Sequence, residues 1–285
     1  MRRALGQAWD RVFFRPAHPL CLVAARTILC LQAVWILLSR PDLPDLARWP
    51  DEFWILADRS LPVRFGLRVL PPAVENALFV VLHAALLAAL FGLRTRAACL
   101  ASAALLYHFA PFEEAIAGLP HTAFGGLTVP VLGLFVLAFA EDPRRLREAS
   151  PEARWPFALI QLLFALGYFF PTLAKLRFSG PSWFTAENIH FYALGNATVT
   201  GAPLALWVAA RPAACAAIAA GTFALEALSP LVVASAGFAT AFALAALVFH
   251  AGIVLVIGYF FPSLPLLLLL LDWDAAGRRW DRWRR

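Results

Sequence analysis

The chain has 285 residues, 61% of them apolar and only 15% charged, with a mean hydropathy of +0.72. A soluble domain carries about half apolar and a quarter charged residues, so a water-soluble fold is excluded for want of interior to hide this much apolar surface. The net charge of +6 comes almost wholly from arginine, with a single lysine, Lys175, among 24 Lys plus Arg. The arginines gather at the ends of apolar runs, where lipid headgroups sit, and no nucleic-acid-binding module is visible.

The first stretch, MRRALGQAWDRVFFRPAHP, is charged throughout and lacks the apolar core of a cleavable signal peptide. Residues 1–19 therefore read as an amphipathic cytoplasmic segment. Seven apolar runs follow, each near the ~20 residues a bilayer-spanning helix needs: Leu20–Ser39, Val74–Gly92, Ala97–Ala115, Ala123–Ala140, Trp155–Ala174, Ala213–Ala234 and Phe238–Gly258. A shorter apolar tail, Tyr259–Leu271, interrupted by Pro262 and Pro265, makes an eighth span or a re-entrant piece. The predicted fold class is all-α, a polytopic integral membrane bundle of about seven or eight transmembrane helices covering residues 20–272. Residues 273–285 form a basic cytoplasmic tail. Cys21, Cys30, Cys99 and Cys215 all fall inside apolar runs, without CxxC spacing, and read as small buried hydrophobes.

Arginine placement orients the bundle. The N-terminal segment (Arg2, Arg3, Arg11, Arg15), the loop with Arg94 and Arg96, and the loop with Arg144, Arg145, Arg147 and Arg154 are assigned to the cytoplasm. The loop carrying Glu113 and Glu114 has no arginine and lies outside. The first outer loop is of mixed charge, and its Trp49 and Trp54 point to interfacial helices. The terminal RRWDRWRR also reads as cytoplasmic, which requires an even number of crossings and favours eight. The arginine- and alanine-rich composition points to a GC-rich bacterial genome, hence a bacterial inner membrane. The stretch between Leu176 and Pro212 is expected to be an outer loop long enough to fold back as a lid.

Ionisable groups at membrane depth need a partner or a cavity. At ~1.5 Å per residue, His83, His108 and His250 lie roughly 10–13 Å below the outer helix ends. His121 and Lys175 sit at outer ends of their spans. Arg26 and Glu226 fall in the inner half, and are expected to form a structural ion pair. The histidines lack metal-ligand spacing, so no metal site is predicted.

The fifth span carries a polar stripe. Gln161, Ala165, Tyr168, Thr172 and Lys175 recur at +4, +3, +4, +3, which puts them on one helical face. Such a stripe should face a bundle interior or cavity. It ends on the lone lysine. Arginine stays protonated in proteins, whereas a partly buried lysine can lose its proton and serve as a general base. The bland alternative is a lysine snorkelling to the outer interface. His121, in GLPHTAFGGL, faces the same compartment and is the best-placed acid–base helper.

The run QLLFALGYFFPTLAKLRFSGPSW, from Gln161 to Trp183, resembles the Q…YF…KL…W motif of vitamin K-dependent gamma-glutamyl carboxylases and of bacterial proteins sharing their HTTM (horizontally transferred transmembrane) domain. FFRPAHPLCLVAARTILC, FGLRTR, PHTAFGGL, LEALSP and FHAGIVLVIG follow the same family order. The resemblance implies a lysine base, at Lys175, that deprotonates a hydroquinone for oxygen-dependent epoxidation and carboxylation on the outer face. It implies His121 as the helper. Gln161, Tyr168, Thr172, His83, His108, His250 and Trp183 are expected to line a quinone pocket. Two departures narrow the expectation. Ala174 stands where the carboxylases have a second lysine, and their large extramembrane domain has no counterpart after Asp272, so a protein partner is expected to replace it. A non-catalytic quinone- or lipid-binding scaffold would keep the fold without the chemistry. A transporter would show two repeated halves with broken helices, and no repeat is visible. A metal-dependent oxidase would need a ligand cluster.

Overall fold

The computed structural model describes residues 2–50, 69–110, 126–146 and 148–285. His121, Glu113, Glu114, Arg147 and most of the first outer loop lie outside the described residues. The described chain is helical, without a strand; an isolated bridge joins Ala17 and Ser150. It divides into two compact units, residues 1–160 with 273–285, and residues 161–272.

In the first unit, α1 (Arg2–Phe13) leads to α2 (Leu20–Ser39), followed by α3 (Pro72–Leu90), α4 (Thr95–Phe109) and α5 (Thr128–Phe139). Proline at the first position starts α3, where its missing N–H costs nothing and its φ is already helical. α2 packs on α3 and α5, and α4 packs on both α3 and α5. Small residues allow the close approach. An added Cβ at Gly133 of α5 would lie 2.6 Å from Leu29 Cδ1 of α2, so a larger residue at this crossing requires the Leu29 side chain to shift. The C-terminal helix α11 (Trp273–Arg284) packs on the start of α2. There the His18 backbone N–H donates to Asp274 at 2.9 Å and its Nε2 lies 3.0 Å from Asp281.

α6 (Pro151–Phe178) is one continuous 28-residue helix that starts in the first unit and ends in the second. It extends past the expected span Trp155–Ala174 at both ends, so Lys175 lies within the helix. Pro171 sits inside it and removes one N–H donor.

The second unit continues with α7 (Ala186–Thr200), α8 (Ala205–Ala209), α9 (Pro212–Leu228) and α10 (Ala236–Ile257), then a 3-10 segment, Leu264–Leu270. The expected outer loop between Leu176 and Pro212 is therefore a correction: it is largely helical. α7 packs on α8, α9 and α10. Ile189 and Ala193 of α7 form a buried apolar cluster with Val208, Ala209, Cys215 and Ala219. Its polar residues hid it from a hydropathy reading, yet they are satisfied locally: Asn196 donates to the Tyr192 carbonyl and Thr200 to Asn196 and Ile257.

Among the described residues, five helices are long and apolar enough to cross a bilayer: α2, α3, α6, α9 with its 3-10 extension to Val233, and α10. All four cysteines are buried.

Candidate functional site

The polar stripe of α6 faces inward within its unit. Gln161, Ala165 and Thr172 are buried, while Phe170, Leu173 and Leu176 on the other sides are exposed. An aliphatic outer face with a polar inner one is the arrangement a helix takes when its surroundings are apolar and its partners internal.

α9 runs antiparallel to this stripe. Trp183 Nε1 donates to the Ala219 carbonyl at 3.3 Å, Glu226 lies against Thr172 and Lys175, and Ser229 donates to the Ala165 carbonyl at 2.9 Å. As α9 advances, its contacts step back along α6. This register places a carboxylate in the last turn of α9 opposite the only lysine of the chain.

Lys175 Nζ donates to both carboxylate oxygens of Glu226. Thr172 Oγ1 donates to Glu226 Oε2 at 3.3 Å, so the carboxylate is held from two successive positions of the stripe. Thr172 is 2% and Glu226 7% exposed. The Lys175 side chain is somewhat more open, and its Nζ sits 4.7 Å from the centroid of the Trp183 ring, a cation–π arrangement. Arg26, expected from the sequence to pair with Glu226, lies in the other unit. Each residue has its partner within its own unit: Glu226 in Lys175, and Arg26 in Thr95 of α4, whose Oγ1 accepts at 3.5 Å. Depth counting assigned Lys175 to the outer mouth and Glu226 to the inner half, and so kept apart two groups that touch.

One turn and a half further along the stripe, Tyr168 is bonded to His250 of α10, with the hydroxyl oxygen 2.8 Å from Nε2. Aromatic rings surround the pair: Phe164 and Phe242 meet the Tyr168 ring edge-on, and Phe249 and Phe261 meet His250. His250 Nδ1 is buried and has no hydrogen-bond partner, an unfilled polar position in an otherwise aromatic wall. Gln161, expected to line the pocket, is engaged structurally instead. Its Nε2 donates at 2.8 Å to the Leu269 carbonyl, in the last turn of the 3-10 segment, where helical backbone partners run out.

His83 and His108 are bonded elsewhere. His83 Nδ1 lies 2.8 Å from the Phe79 carbonyl of its own helix. His108 Nε2 lies 2.9 Å from Glu75 Oε2, and Glu75 also accepts from the Leu70 N–H at 2.8 Å. Glu75 is fully buried and went unrecognised in the sequence. The signal was present: an acid in the first turn of a span, with a histidine at matched depth in need of a partner. Among the described residues, no group of three His, Cys, Asp or Glu side chains is placed to hold a metal ion.

Chemically, the Lys175–Glu226 contact pairs an ammonium with a carboxylate that Thr172 also holds. Compared with family models, with curated proteins and with solved structures, the chain matches none.

Proposed function

We propose that this chain is an integral membrane protein of the HTTM type that holds a hydroquinone or a similar lipid-soluble phenol and removes its proton through the Lys175–Glu226 pair. The observation that carries the reading is the contact of the sole lysine with a buried carboxylate, beneath an indole ring and on a stripe otherwise engaged in hydrogen bonds. In this reading the N-terminus is cytoplasmic, about eight segments cross the bilayer, and the membrane is a bacterial inner membrane. A protein partner supplies any recognition surface outside the bilayer.

The residues fit a phenolic ligand. Aromatic rings give it an apolar wall, and the unpartnered Nδ1 of His250 gives it a polar anchor. Tyr168 holds His250 in orientation. Lys175 becomes a base by passing its own proton to Glu226, which keeps the pair neutral overall and avoids leaving a lone charge in an apolar site. Thr172 continues to donate to the carboxylate through the transfer, and Trp183 covers the lysine from outside. When bound, a hydroquinone supplies the electrons for reducing oxygen. His121 keeps the role of helper from the family resemblance alone.

Mass spectrometry of small molecules extracted from the purified protein tests the reading. A quinone that co-purifies with the natural sequence and is lost in His250→Ala supports it. A preparation that binds added quinol, consumes oxygen, and does so equally well as Lys175→Arg contradicts the lysine's role, since arginine keeps the charge without the base.

A further inference from the structure

The first unit holds a second cluster of chemistry, unrelated to the quinol reading. Gly92, just after α3, has φ +71, and a Cβ there would meet Arg26 Nη1, Arg26 Nη2 and Arg144 Nη2, each at 3.1 Å. Two guanidinium groups therefore pack against the Gly92 backbone, where Arg144 Nη2 also donates to the Phe91 carbonyl at 3.1 Å. Arg26 is 8% exposed, and its Nε has no hydrogen-bond partner. Among the described residues no carboxylate forms an ion pair with it. The acids nearby are turned elsewhere: Glu141 is engaged by Arg96 at 2.9 Å and Arg145 at 3.6 Å, and Asp142 accepts from the Arg144 backbone N–H at 3.0 Å.

The start of α4 adds donors at the same place. Its first residue, Thr95, meets Arg26, and the helix has no side-chain cap over its opening N–H groups. Arg94, Thr95, Arg96 and Ala97 also line an open hollow shared with Glu141 and Asp142. A buried guanidinium with neither counter-ion nor full hydrogen bonding is costly. The unpartnered Arg26 Nε and the uncapped N–H groups opening α4 leave donors here for an anion.

We infer that this cradle binds a phosphate oxyanion. Arg26 and Arg144 hold its oxygens by charge-assisted forks, and the N–H groups opening α4 donate to it. Glycine at position 92 leaves room for the forks to approach. Two sources share this chemistry: the headgroup of an anionic phospholipid and soluble inorganic phosphate.

The test is thermal unfolding of the full chain in uncharged detergent. One arm titrates phosphatidylglycerol against phosphatidylcholine in mixed micelles. The other titrates sodium phosphate against sodium chloride at equal ionic strength. A saturable rise in unfolding temperature in either arm, with half-saturation weakened about tenfold or more in Arg26→Gln and in Arg144→Gln, is the expected result, and the responding arm identifies the source. Arg282→Gln, on the basic face of α11, should leave the response unchanged and so separates the cradle from general attraction to anionic surfaces. Arg144 is exposed, so its variant remains informative if Arg26→Gln does not fold. A flat response in both arms, or variants that respond like the natural sequence, overturns the inference.

Discussion

Lys175 and Glu226 meet although 51 residues separate them, with Thr172 donating to the same carboxylate. Removing one partner of such a buried pair leaves the other charge uncompensated, at about 3–5 kcal/mol. Lys175→Met and Glu226→Leu should each destabilise on that scale, whereas the double variant should lose much less. Reversible unfolding in detergent checks this through a double-mutant cycle. Independent, additive losses would show that the contact does not hold the fold.

Arg26 and Glu226 belong to separate hydrogen-bonded groups, one around Thr95 and the other around Lys175. Arg26→Ala and Glu226→Ala should therefore be additive to within about 0.5 kcal/mol. A larger coupling between them would restore the direct pair that the sequence alone favours.

The Gln161 amide secures non-α-helical backbone at Leu269. Gln161→Leu keeps the volume but leaves that carbonyl without its donor, at a cost of about 1–3 kcal/mol. The same variant should speed amide hydrogen exchange in residues 264–270, and exchange unchanged there would remove Gln161 from this role.

At the crossing of α2 and α5, Gly133→Ala forces a methyl against Leu29. Overpacking of this kind costs about 1–3 kcal/mol. Leu29→Val, which retracts the clashing atom, should recover part of that loss in the double variant. A Gly133→Ala protein as stable as the natural one would mean that the two helices can separate at no cost.

Much of the helix inventory was legible because length and apolarity are local properties. α2, α3, α6, α9 and α10 all show in the hydropathy of their own residues. The inward face of α6 was legible too, since a +4, +3 spacing fixes a face without reference to any neighbour. Pairing was not. Lys175 and Glu226 meet through the register of α6 against α9, and a count of depth from estimated helix ends sets them apart. α7 was missed because Asn188, Asn196 and Thr200 read as loop residues, although each bonds a backbone carbonyl. Glu75 is not among the candidates the sequence offers, because what marks it is its contact with His108 of another helix.

The central claim is that the Lys175–Glu226 pair takes a proton from a bound phenol. The ultraviolet absorption of a naphthol probe bound to the purified protein tests it most directly, because naphthol and naphtholate absorb at different wavelengths. The natural sequence should hold the probe as the naphtholate at neutral pH. Lys175→Met and Glu226→Gln should hold it as neutral naphthol, still displaceable by a quinone. A naphtholate spectrum that survives in both variants, or a probe that stays neutral in the natural protein, would contradict the account.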